Sequence, residues 1–203
     1  MKMKDIDKQV ETKPLTKEES KAQFIEVTEE LGLKHSFNFD EAWEIGEELK
    51  KRKQFRENIT TLENQITNTE GTLVGKELHE ANPVKHTFAD GCYIREIFNP
   101  AGLLLVTKIH KKKHPFFLME GEMSILTENG IQHVKAPHHG ITYPGTKRVI
   151  YTHKDCVFIT VHATESTDVE EIEKVVIAKD FQDPEITLED IKLLKNSKLI
   201  KNK

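Results

Sequence analysis

Histidine is the residue whose distribution stands out. The chain of 203 residues carries ten. Nine of them, His79, His86, His110, His114, His133, His138, His139, His153 and His162, crowd into the middle of the sequence. Neutral imidazole is the commonest metal ligand and the usual acid–base group near neutral pH. Two short stretches add fixed positive charge: Ile109-His110-Lys111-Lys112-Lys113-His114-Pro115 and Pro144-Gly145-Thr146-Lys147-Arg148. Arginine grips a carboxylate or phosphate through a bidentate fork, and lysine adds a point charge. If Lys108, His110, His114, Lys147 and Arg148 meet at one opening, they suit a small anionic molecule such as a nucleotide, a sugar phosphate or a carboxylate. A second chemistry competes for the same residues. Three of His110, His114, His153 and His162, with Glu96 as a carboxylate, would make a site for a divalent transition metal. The bland reading makes His162 a hydrogen-bonded core residue and His138-His139 a surface turn.

No nucleophile motif accompanies these residues. There is no G-x-S-x-G, no phosphate-cradling glycine loop and no G-x-G-x-x-G, so no catalytic residue is assigned and the enzyme question stays open. Cys92 and Cys156 lie in apolar runs and read as buried and inert.

Distant histidines need a scaffold to bring them together, and the punctuation of the chain suggests one. Eight of the ten glycines lie from Gly71 to Gly145, and five of the seven prolines from Pro83 to Pro144. Between them run short apolar stretches: Cys92–Phe98, Leu103–Ile109, Phe116–Met119, Glu122–Thr127, Ile131–Lys135, Gly140–Tyr143, Arg148–Thr152 and Cys156–His162. Short strands at this spacing predict a sandwich or barrel. Asn129-Gly130 is a hairpin signal. The continuous apolar run Cys156–His162 predicts a central strand covered on both faces.

The flanks read as helices. Thr16 and Glu19 form a capping box before Phe24, Val27 and Leu31, with Gly32 as the stop. Asp40 is positioned to cap a longer helix through Trp43, Leu49, Phe55, Ile59, Leu62 and Ile66. The last four follow a short heptad-like spacing. Lys50-Lys51-Arg52-Lys53 reads as a solvated face. A capping pattern from Thr167 to Glu170 precedes Ile172, Val175 and Val176, and a weaker one at Thr187–Asp190 precedes Ile191 and Leu194. The expected organisation is a helical arm over 1–69, a β-barrel over 70–165 and a helical tail over 166–203.

Within the barrel segment the sequence resembles the cupin superfamily, whose jelly roll carries two histidine-bearing motifs. A closer resemblance is to a cupin-like family encoded in phage genomes. It rests on Tyr93-Ile94-Arg95-Glu96-Ile97-Phe98, Lys108-Ile109-His110-Lys111, Gly121-Glu122-Met123-Ser124-Ile125-Leu126-Thr127-Glu128 and Pro144-Gly145-Thr146-Lys147-Arg148-Val149, in that order. The resemblance implies a cupin-like jelly-roll barrel, a mainly β fold with helical extensions, a homo-oligomer and a role in phage infection. It also implies a metal site in the superfamily pattern. Here the pattern is broken: Lys108 falls where the first histidine belongs, His114 near the glutamate, and Arg148 where the second-motif histidine belongs. Two cations at ligand positions would repel a metal, which favours the anion reading. A metal-dependent enzyme with a rearranged histidine site and a non-catalytic virion or interaction protein are the alternatives.

Composition narrows the rest. Lys+Arg total 30 against Asp+Glu 34, a net charge of −4, so nucleic acid is not the expected partner. No apolar run reaches the roughly 18 residues of a membrane span. The first twenty residues lack the apolar core of a secretory signal. Two cysteines make no disulfide framework. A cytoplasmic protein is expected, in the host cytoplasm if phage-encoded, with the virion as the other location.

Overall fold

The structure is a computed structural model, and it describes residues 13–32 and 38–187. Three helices come first: α1 (Lys17–Glu30), α2 (Phe39–Thr67) and α3 (Gly75–Ala81). Strands follow: β1 (Val84–Ala89), β2 (Cys92–Asn99), β3 (Leu104–Val106), β4 (Ile109–His110), β5 (His114–Glu120), β6 (Glu122–Thr127), β7 (Gly130–Lys135), β8 (His138–Thr142), β9 (Val149–Thr152) and β10 (Cys156–Ala163). Helix α4 (Val169–Val176) and strand β11 (Ile177–Ala178) come last.

The strand order explains the fold. One sheet runs β1-β2-β10-β5-β8 and the other β3-β9-β6-β7, with every pairing antiparallel. The chain repeatedly leaves one sheet for the other, from β2 to β3, β5 to β6, β8 to β9 and β9 to β10. That is the double Greek-key path of a jelly roll. Both sheets feed one core: Ile97, Phe116, Leu118 and Phe158 from the first, Met123, Ile125, Val134 and Ile150 from the second. The fold is thus a mainly β jelly roll with helical extensions.

Local chemistry explains the elements. Thr16 and Glu19 complete the predicted capping box, and Gly32 turns left-handed after α1 at φ +64°. The cap of α2 is Asn38 rather than Asp40. The Asn38 side chain accepts from the Glu41 amide, while Asp40 pairs with Lys17 and Lys21. Likewise Asp168, not Thr167, caps α4, accepting from Glu170 and Glu171 amides. Of the apolar positions predicted along α2, Ile59 alone is fully buried, at 2% exposure, so the heptad-like spacing does not mark a continuous seam.

The β6–β7 hairpin turns on Glu128-Asn129, with Gly130 opposite Thr127, one residue earlier than Asn129-Gly130 suggests. Strand β10 lies centrally between β2 and β5, but only its inward face, Cys156, Phe158, Thr160 and His162, is buried. Its other face is partly exposed. His138 and His139 lie in β8 rather than in a turn. The start predicted at Thr187–Asp190, with Ile191 and Leu194, extends outside the described residues.

Candidate functional site

Register stacks the inward side chains in layers. Along β2 and β10, Tyr93 lies opposite His162, Arg95 opposite Thr160, Ile97 opposite Phe158 and Asn99 opposite Cys156. Alternation puts these on one face of the sheet. On β9 and just before it, Arg148 and Ile150 are two apart and point the same way. His110 sits in β4 and His114 opens β5. The result is an internal chamber of about 240 Å³ with a polar end and an apolar layer. Tyr93, Arg95, His110, His114, Arg148 and His162 line the polar end, Ile97, Leu105, Met123, Ile150 and Phe158 an apolar layer next to it, and Asn82 and Asn99 lie beyond that layer.

Three of the predicted histidines do meet. The ring centroids of His110 and His114 are 4.4 Å apart, His114 and His162 4.2 Å, and His110 and His162 6.1 Å. Each has a buried ring nitrogen without a hydrogen-bond partner among the described residues: His110 Nδ1, His114 Nε2 and His162 Nδ1. The tautomer of His114 follows from its contact. Nδ1 lies 3.0 Å from the Lys112 carbonyl, which can only accept, so Nδ1 carries the proton and Nε2 a bare lone pair. His162 Nε2 meets Thr160 Oγ1 at 3.2 Å.

Burial keeps these rings neutral. It is the main cause that pushes His110 down to about 2, helped by His114, His162, Arg148 and Arg95. Burial also pushes His162 down to about 4 and lowers His114. The guanidiniums stay charged. Burial lowers Arg148 to about 10 and lowers Arg95 as well. Arg148 Nη1 donates to Thr142 Oγ1 at 3.0 Å, and its Cζ lies 5.1 Å from the Phe116 ring centroid. Neither Arg95 nor Arg148 forms an ion pair with a described carboxylate.

The other sequence-predicted residues go elsewhere. Lys108 lines the chamber rim, but its ammonium pairs with Glu173 of α4 at 2.8 Å. Lys147 is 8% exposed, turns away from the chamber and pairs with Glu63 of α2 at 2.5 Å. It lines a separate cleft of about 450 Å³ between α2 and the barrel, which Arg148 also reaches. His153 lies on the outer face of the second sheet, where its Nε2 is 2.8 Å from Ser124 Oγ. His133 completes that outer network, 3.3 Å from Ser124 and 2.8 Å from Glu122. Glu96 points to the outer face and pairs with Lys85. Lys111 and Lys112 are not part of the opening: both pair with Glu185, Lys111 also with Asp183, and Lys112 stays about half exposed.

These placements bear on a metal. The three unpaired imidazole nitrogens are suitable donor atoms. Yet among the described residues no group of three or more His, Cys, Asp or Glu side chains is placed to hold a metal ion. Arg95 and Arg148 add positive charge beside the imidazoles. The described residues do not fit a divalent cation held by histidines and a carboxylate.

Sequence reasoning missed Arg95 and Glu173. Arg95 lies in a predicted strand, but both faces of that strand carry apolar residues, so alternation does not place it. Glu173 had no signal, because α4 reaches the barrel only through tertiary packing.

No protein-family model matches the chain, and no curated protein does. Solved structures are similar to the barrel. A cupin-2 domain protein from Shewanella frigidimarina is 10% identical, with a TM-score of 0.35, over 40% of this chain and 79% of that one. The DMSP lyase DddQ from Ruegeria pomeroyi is 15% identical, with a TM-score of 0.41, over 49% of this chain and 55% of that one. A cupin domain of an XRE family transcriptional regulator from Enterobacter cloacae is 12% identical, with a TM-score of 0.36, over 42% of this chain and 99% of that one.

Proposed function

We propose that the protein binds a small anionic molecule inside the barrel, at the polar end of the internal chamber. The observation that carries this reading is the pair of partly buried guanidiniums, Arg95 and Arg148, without a carboxylate ion pair. A charge withdrawn from water is costly unless a partner neutralises it. The histidines are neutral at pH 7 and cannot serve as counter-ions; Glu173, paired with Lys108, acts on Arg95 through space and leaves Arg148 uncompensated. A bound anion supplies the missing charge. The resemblance to a phage-encoded family supports a role in phage infection. The analogy with cupin-like barrels and the helical arm support a homo-oligomer, and the lack of a disulfide framework supports a cytoplasmic location. The arm over 1–69, barrel over 70–165 and tail over 166–203 is the organisation that goes with this reading.

Thermal unfolding with a panel of anions at constant ionic strength tests the proposal. An anion at a hundredfold its Kd adds about 2.7 kcal/mol, which for a chain of this size raises Tm by roughly 5–10 °C. Arg148→Ala is expected to abolish that rise. An equal rise in the variant overturns the reading. Stoichiometric transition metal in purified protein, lost on replacing His110 or His114, would favour the metal-dependent reading instead.

A further inference from the structure

We infer that the anion is a small monocarboxylate with a hydrocarbon body, and not a sugar phosphate or a nucleotide. The inference rests on the anion-binding reading and narrows it. Two features of the chamber carry it, size and the layering of its walls.

The volume is about 240 Å³. An apolar cavity of about 150 Å³ holds benzene, so this space holds on the order of ten non-hydrogen atoms. A nucleotide far exceeds this.

The layering decides the body. Arg95 and Arg148 stand at one end, with the three imidazoles. One register step inward, Ile97 lies opposite Phe158, and Ile150 follows Arg148 on the same face. Met123 adds to this layer and is fully buried. Within this layer only the Met123 thioether can accept, and weakly; Asn99, with Asn82 against it, lies one register step beyond. A sugar body would bury hydroxyls against this layer with no better partner, at a cost for each. A hydrocarbon body would leave the head group at the guanidiniums and fill the apolar layer. Removing such a body from water favours binding by about fourfold per methylene.

Calorimetric titration of the full chain with acetate, butyrate, hexanoate, decanoate, glucose 6-phosphate and AMP tests this. Affinity is expected to rise about fourfold per methylene from butyrate to hexanoate and to fall by decanoate, which the chamber cannot hold. Glucose 6-phosphate and AMP are expected to bind more weakly than hexanoate. Met123→Phe shortens the apolar layer and is expected to move the optimum to a shorter acid, with circular dichroism confirming the fold. Affinity that is flat with chain length, or tighter for either phosphate compound, overturns the inference and leaves the anion-binding reading standing. Failure of every anion to bind, with Arg148→Ala unchanged from wild type, overturns both.

Discussion

At the scale of single residues, burial sets the state of the barrel histidines. His110 and His162 hold pKa values of about 2 and 4, and His114 is lowered by the same cause. In the unfolded chain each titrates near 6.5. Below that pH the unfolded state takes up protons that the folded state refuses. Stability is therefore fully present above about pH 6.5 and falls as pH drops toward 4. Each such imidazole adds about 1.4 kcal/mol per pH unit to the slope. His110→Gln is expected to flatten the slope between about pH 6 and pH 4.5 by one proton's worth, read from urea melts. An identical slope in the variant would mean that His110 protonates freely in the native protein. The histidines were visible in the sequence because imidazole is rare and theirs is concentrated. Their neutrality was not, because desolvation belongs to the packed barrel. Arg95 was obscured for a related reason. Ile94 and Phe98 make the outward face of β2 as apolar as the inward one, so alternation does not say which way Arg95 points.

At the scale of elements, two contacts fix how helix and strand ends meet. Lys147 is nearly buried, and Glu63 of α2 holds its ammonium against the loop before β9. Glu63→Ala leaves that ammonium without its partner and is expected to cost about 1–3 kcal/mol in chemical denaturation. Lys147→Met, which removes the charge and keeps the stem, is expected to cost less. Equal losses would show that the ion pair itself, and not a stranded ammonium, sets the cost. Gly121 serves the β5–β6 turn. Its φ is +90°, and a Cβ there would stand 2.2 Å from the Asp155 carbonyl oxygen. Gly121→Ala is expected to destabilise by about 2 kcal/mol or more, measured the same way. The glycine was readable as a turn signal between two apolar runs, and so were most strands. Strand β1 and helix α3 were not. Strand β1 is an edge strand exposed along most of its length, so it lacks the apolar signature. Helix α3 is seven residues long, and no side chain caps it.

At the scale of the whole molecule, the tail closes the polar end of the barrel. Strand β11 pairs with β4, placing Ile177 opposite His110. Helix α4 buries Ile172 and Val176 against Tyr93, and Ile186 packs with Ile109 and Ala178. Four lysine–carboxylate contacts ring this closure: Lys108 with Glu173, Lys111 with Asp183 and Glu185, and Lys112 with Glu185. The ion pairs are conspicuous, but magnitudes favour the apolar contacts. The Lys112–Glu185 pair is close to half exposed on both sides, and such pairs contribute about 0–1 kcal/mol. Ile172 is 1% exposed, and truncating an isoleucine there costs about 2–5 kcal/mol. Ile172→Ala is therefore expected to lower stability by several times the loss from Lys112→Ala. The apolar variant should also speed amide hydrogen exchange across α4 and β11 ahead of the barrel strands, since a locally weakened segment opens first. Comparable losses from the two variants, or exchange spread evenly over the strands, would mean that charge holds the tail in place. High salt would then be enough to loosen the chamber's cover.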